Sequence, residues 1–185
     1  MIVALAVGLA LLIQAFVVKP YQIPSGSMEP TLDPGQRVLV DRVTYRFTDP
    51  AIGDVIVFHP PVGANAEKCG VHRTAGEPCP TPIDKESDIN FIKRIVAGPG
   101  DTLSIRHGHP VVNGKVAQED FIKPCLGGNE CNLPHQITIA PGHYFMMGDN
   151  RGASDDSRYW GPVPRAWIIG QAFFTYWPLD RVGFL

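Results

Sequence analysis

Asn90-Phe91-Ile92-Lys93-Arg94-Ile95-Val96-Ala97-Gly98-Pro99-Gly100-Asp101 is an apolar, β-branched run that ends in a tight turn, and the fold class follows from how it is read. A short run of this composition closed by Gly and Pro is a strand. Alternation along it puts Phe91, Lys93 and Ile95 on one face and Ile92, Arg94 and Val96 on the other. A lysine that shares a face with Phe and Ile is partly desolvated, and burial disfavours its charged form. With a pKa lowered to roughly 7 to 8, such a lysine can take a proton from a hydroxyl at neutral pH. The plainer alternative is a lysine at a sheet edge whose ammonium reaches water along its own stem.

Strand-like runs continue on both sides. Arg37–Val43 and Asp54–Phe58 precede, bounded by Gly35, Gly53 and Pro60. Leu103–Ile105, Pro110–Val116, Tyr144–Met147 and Ile168–Tyr176 follow, with Asn113-Gly114 as a hairpin turn. There is no internal repeat and no helical pattern longer than a turn or two, and 18 prolines with 19 glycines argue for short elements and many turns. The expected class is mostly β, an antiparallel sheet. Between the runs lie two excursions. Residues 62–88 read as a polar surface loop, and residues 117–140 have little periodicity. Each carries a cysteine couple, Cys69 with Cys79 and Cys125 with Cys131. These spacings are wider than the C-x2-C pairs of common zinc sites, so two short-loop disulfides are expected, and with them an oxidising location.

Met1–Val18 is almost unbroken hydrocarbon. A cleaved leader needs a basic start and small residues before its cut, whereas here the first charge is Lys19 and the run ends Phe16-Val17-Val18. A buried soluble helix would be amphipathic. The run is expected to be a transmembrane helix, residues 1–18, and with no charged flank before it the positive-inside rule does not orient it. The balance of 16 basic and 18 acidic residues offers no reason to expect nucleic acid as a partner.

Two further stretches carry reactive groups. Tyr21-Gln22-Ile23-Pro24-Ser25-Gly26-Ser27-Met28-Glu29-Pro30-Thr31-Leu32 sets two serines around a glycine between prolines. This is either a loop leaving a membrane helix or a stiffened turn that presents a nucleophile. Gly148–Gly161 packs acids, arginines, an amide and serines behind an apolar strand. That is either a solvated loop of Asx turns or a hydrogen-bonded platform able to orient a lysine. Six histidines are available as bases. Most sit in polar or Pro/Gly-rich contexts, and His107-Gly108-His109 has no third ligand at a recognisable spacing. A Ser-His-Asp arrangement stays open, since triad members can lie anywhere in a chain.

Three blocks in this order, Ile23–Leu32, Lys93–Asp101 and Gly148–Trp160, with an apolar run ahead of the first, resemble bacterial type I signal peptidase, a membrane-bound peptidase with a Ser-Lys dyad. The resemblance covers residues 1 to about 58, about 90 to 105 and about 141 to the end. It implies Ser27 as nucleophile and Lys93 as general base. It also implies Ser154 as the hydroxyl that orients the lysine, and Ser25 with the Ser27 N–H as the oxyanion hole. Arg94, Asp149, Asp156 and Arg158 match the family's structural ion pairs. Gln36 stands where many members have an acid, remote from the dyad. Neither metal nor cofactor is implied.

Apolar segments beside the proposed nucleophile and base are the candidates for binding substrate: Tyr21, Gln22, Ile23, Pro24, Met28, Leu32, Phe91 and Ile92. An extended peptide could pair with their backbone as an added strand. The resemblance implies small residues at the first and third positions before the cut, as in Ala-X-Ala. It further implies secretory preproteins as substrates and a single-pass protein of the cytoplasmic membrane, with its catalytic domain on the extracytoplasmic face. A monomer is expected. The expected division is an anchor at 1–18, a catalytic β domain from 19–105 and 141–185, and an inserted hairpin and loop subdomain at 106–140. One rival is a self-cleaving repressor-type protease with the same Ser-Lys logic, which the membrane run and the lack of a DNA-binding segment oppose. Another is an inactive tethered binding module, whose sign would be loss of Ser27 or Lys93.

Overall fold

The computed structural model describes residues 17–185. Twelve strands make up its two sheets: β1 (Val18–Gln22), β2 (Arg37–Asp41), β3 (Val55–Phe58), β4 (Phe91–Ala97), β5 (Thr102–Arg106), β6 (His109–Val112), β7 (Lys115–Val116), β8 (Leu133–Thr138), β9 (His143–Met147), β10 (Val163–Pro164), β11 (Ile168–Trp177) and β12 (Gly183–Phe184). The larger sheet runs β1-β2-β11-β3-β4-β9-β10, with β12 also on β11, and the smaller runs β7-β6-β5-β8. Every strand pairing is antiparallel. The expected mostly-β antiparallel class is therefore found. Among the described residues the one α-helix is the single turn α1 (Ser157–Trp160).

The burial follows the alternation read from the sequence. Ile92 joins Ile23, Met28, Leu32, Val55 and Val57 in one core cluster, while Phe91 and Ile95 join Ile56, Phe58, Met146 and Trp160 in another. A third cluster joins Val96, Phe145 and Met147 of the larger sheet to Leu103, Ile105, Leu133 and Ile137 of the smaller. In the β6–β7 hairpin Asn113 and Gly114 both take positive φ, 51° and 78°. That is the backbone of the type I′ turn that Asn-Gly favours.

Two expectations change. Of the proposed anchor at Met1–Val18, residues 1–16 lie outside the described residues. Val18 is not the end of a helix but the first residue of β1, paired with Asp41, and among the described residues no helix is long and apolar enough to cross a membrane. Pro20 is accommodated there because β1 is an edge strand, where a missing N–H breaks no ladder. Residues 117–140 are also not wholly irregular. β8 was hidden because only Leu133 and Ile137 of its six residues are buried.

Both expected disulfides are present, Cys69–Cys79 and Cys125–Cys131. Each braces the segment from Gly148 to Gly161. The Cys79 N–H donates to the Arg158 carbonyl at 3.0 Å, and Arg73 donates to the same oxygen at 2.9 Å. On the other side Lys123 and Arg151 are joined backbone to backbone, and Arg158 donates to the Glu130 carbonyl at 3.5 Å.

Candidate active site

The site forms where β4 outruns β9. Pairing between them covers Arg94 to Ala97, whereas β3 pairs with β4 from Phe91 to Arg94. Phe91–Lys93 therefore have β3 on one side and an open cavity on the other. The 3-10 turn Gly26–Met28 closes the end of that cavity. The cavity, about 470 Å3, is bordered by Pro24, Ser25, Gly26, Ser27 and Glu29 from the first loop, by Asn90–Lys93 from β4, and by Asn150, Ala153, Asp155 and Asn65.

Lys93 Nζ lies 2.5 Å from Ser27 Oγ, and both side chains are buried. Burial lowers the pKa of Lys93 to about 8, and Arg158 pushes the same way. The carboxylates of Asp156, Asp155 and Asp149 pull it back up. Lys93 also lies over the Phe91 ring, 5.4 Å from its centre. Desolvation is the leading cause, so the neutral amine is within reach at physiological pH. Ser25 Oγ stands 3.4 Å from Ser27 Oγ on the side facing the cavity.

Ion pairs hold the turn and the strand together. Arg94 donates twice to Asp149, at 2.9 and 2.7 Å, and Thr31 donates to the same carboxylate at 2.5 Å. One acid thereby ties β4 to the nucleophile loop. Asp156 accepts from the Gly148 N–H and from Arg158, with both side chains essentially buried. Burial alone would raise the Asp156 carboxyl, but the Arg158 charge and hydrogen bonds bring it below the usual range. A buried pair of this kind is costly to break from one side, because the orphaned charge stays inside.

Several residues of the Gly148–Gly161 cluster had no individual role assigned from the sequence. The Asn150 side chain donates to the Gly26 carbonyl at 3.0 Å and its N–H to the Ser27 carbonyl at 3.1 Å. Asn150 thus fixes the turn that carries Ser27. Gly148 sits where a Cβ would be 2.4 Å from the Ser27 carbonyl oxygen and 2.2 Å from Ser154 Oγ. Arg151, fully buried, donates twice to Glu119 and once each to the carbonyls of Gly108 and Gly148. Only the clustering of acids and arginines hinted at that network.

Other expected positions fall differently. Ser154 Oγ is buried and has no hydrogen-bond partner, so the expected bond to Lys93 is not formed. Of the expected pocket residues, Pro24, Phe91 and Ile92 border the cavity. Ile23, Met28 and Leu32 are core residues, 0–2% exposed, packed behind Ile92. An apolar side chain next to a nucleophile can serve either purpose, and here the sheet took these three. Tyr21 and Gln22 belong to β1 and pair with Val38 and Arg37. No histidine borders the cavity.

A family model described as signal peptidase, peptidase S26, matches residues 1–177. Probable signal peptidase I-1 of Synechocystis sp. is 39% identical over 178 residues, which span 96% of this chain and 81% of the relative. Signal peptidase I of Leptolyngbya laminosa is 34% identical over 183 residues, 98% of this chain and 79% of the relative. Signal peptidase I of Pseudomonas aeruginosa is 33% identical, with 95% and 71% covered.

Proposed function

The chain belongs to the signal peptidases of the peptidase S26 family, serine peptidases that remove signal peptides, and we propose that it does so with Ser27 and Lys93 as a catalytic dyad. The observation that carries this reading is the 2.5 Å approach of Lys93 Nζ to Ser27 Oγ inside a buried, cavity-lining pair. When Lys93 is neutral, the Ser27 hydroxyl donates to it. As Ser27 Oγ attacks the scissile carbonyl carbon, Lys93 takes the proton. The oxyanion is met by the Ser27 N–H and the Ser25 hydroxyl, donors of a kind worth several kcal/mol in a transition state. The C–N bond then breaks and Lys93 gives its proton to the leaving amine. Water enters, loses a proton to Lys93 and attacks the acyl ester, and Ser27 is regenerated.

Substrate is taken as an added strand on the open Phe91–Ile92 edge, between it and Pro24. The wall behind Ile92 is closed by Ile23, Met28 and Leu32, which supports small side chains at the first and third positions before the cut. Ser154, with its buried and unpaired hydroxyl, is the group available to hold the lysine amine once Ser27 is acylated, since a buried hydroxyl gains by finding a partner. The apolar run before β1 anchors the enzyme in the cytoplasmic membrane with the cavity on the extracytoplasmic side. The two disulfides suit that oxidising location.

The test is cleavage of an Ala-X-Ala peptide by the full chain in detergent. The cut is expected after the second alanine, and kcat/KM is expected to rise with pH through about 8, following loss of the Lys93 proton. A profile governed instead by a limb near the ordinary histidine value of about 6.5 would remove Lys93 as the base.

A further inference from the structure

Residues 62–88 connect β3 to β4, are pinned by Cys69–Cys79, and put Asn65 into the catalytic cavity. The placement is fixed from beneath, because Ala64 is buried in the cluster of Phe58, Phe91, Ile95 and Trp160. Asn65 thus stands over the face of β4 that carries Phe91 and Lys93, opposite to the face of Ile92. Asp155 borders the same cavity. Glu67 lies two residues beyond Asn65, and burial together with the nearby Asp155 charge raises its carboxyl. Two acids from separate segments thus meet at the cavity rim, where a cation would relieve their repulsion.

Strand geometry decides which part of a substrate meets them. Residues directly opposite one another in paired strands point to the same face, and neighbours along a strand point to opposite faces. A peptide on the open edge of β4 with two alternate side chains against the closed Ile92 wall must direct the intervening one toward Asn65 and Asp155. In Ala-X-Ala that intervening residue is X. Resting on the peptidase reading above, we propose that Asn65 and Asp155 form a subsite for the side chain of X, one that selects lysine or arginine and rejects an acid. Neutral Lys93, the working form, puts no opposing charge beside it.

The experiment compares kcat/KM of the full chain in detergent on three peptides that differ only in X: lysine, glutamate and alanine. For exposed charges, lysine is expected to exceed glutamate by about fivefold at low salt, and the ratio should shrink toward one as salt is raised. Asp155→Asn is expected to bring the lysine-to-glutamate ratio close to one, and Asn65→Ala to lower the lysine-to-alanine ratio. Because each ratio is internal to one preparation, partial loss of folded enzyme does not alter it. A wild-type ratio near one, a ratio indifferent to salt, or one that survives Asp155→Asn would overturn the subsite and leave the dyad standing. Cleavage of none of the three peptides would overturn the peptidase reading and the subsite with it.

Discussion

Lys93→Met is expected to lower peptide cleavage by at least about a thousandfold and, at the same time, to make the folded chain more stable at neutral pH. The two effects have one origin. Lys93 is 4% exposed, on a strand face shared with Phe91 and Ile95, and its pKa stands at about 8 against an ordinary 10.5. That difference costs the fold about 3 kcal/mol at pH 7. The sign follows from proton binding: between pH 8 and 10.5 the unfolded chain holds the Lys93 proton and the folded chain does not. Wild-type stability therefore rises with pH across this window. The penalty is complete below the lower value and absent above the upper one. Methionine has similar length and no charge, so it keeps the packing and removes the penalty. Denaturant unfolding at pH 7 and at pH 10.5 checks this: the variant should be more stable at the first and lose that advantage at the second. Ser27→Ala should match the activity loss without the gain in stability, because it leaves the lysine in place. Retention of near-wild-type cleavage by either variant would sink the dyad. Loss of activity with a large drop in stability would mean that Lys93 holds the fold rather than the proton.

The sequence made Lys93 conspicuous because a cation inside Phe-Ile-x-Arg-Ile-Val has only two destinations, a wet edge or a dry interior. The strands legible in advance were those with dense β-branched runs between Gly and Pro, notably β3, β4, β9 and β11. Those that were missed lack local contrast. β1 begins inside an apolar stretch and contains Lys19-Pro20, and β8 buries only two of its six residues. Strand order was not legible at all. β11 inserts between β2 and β3, a pairing across more than a hundred residues that no local pattern encodes. The same limit applies at the site. The acids and arginines near Asp149 and Asp156 could be matched to family positions, but three of the site's features depend on distances that exist only after folding. These are Asn150 holding the Ser27 turn, Arg151 reaching Glu119, and the unpaired Ser154 hydroxyl.

Gly148 is the sharpest case of a position whose importance is purely spatial, and Gly148→Ala should cost on the order of a hundredfold in kcat. Its backbone does not need glycine for conformation, since it has no positive φ. It needs glycine for room. A Cβ there would be 2.4 Å from the Ser27 carbonyl oxygen and 2.6 Å from Ser154 Cβ. A side chain such as Ser154 can turn away, but the Ser27 carbonyl is backbone, held by the Asn150 N–H at 3.1 Å. Relief therefore requires the turn carrying the nucleophile to retreat by roughly 1 Å, a displacement of the size that costs about two orders of magnitude when it separates reacting atoms. Overpacking should also lower stability by about 1–3 kcal/mol, so activity is to be compared at temperatures where the variant is fully folded. Gly152→Ala is the control within the same segment: its added Cβ would meet nothing closer than the Pro124 carbonyl oxygen at 3.5 Å, an ordinary contact, and kcat should stay within about twofold. Because the displaced group is the nucleophile rather than the strand edge that receives the peptide, the loss should fall on kcat with KM little changed. Normal kcat in Gly148→Ala would show that the Ser27 turn does not rest against this glycine during turnover. A loss confined to KM would relocate its role to substrate binding.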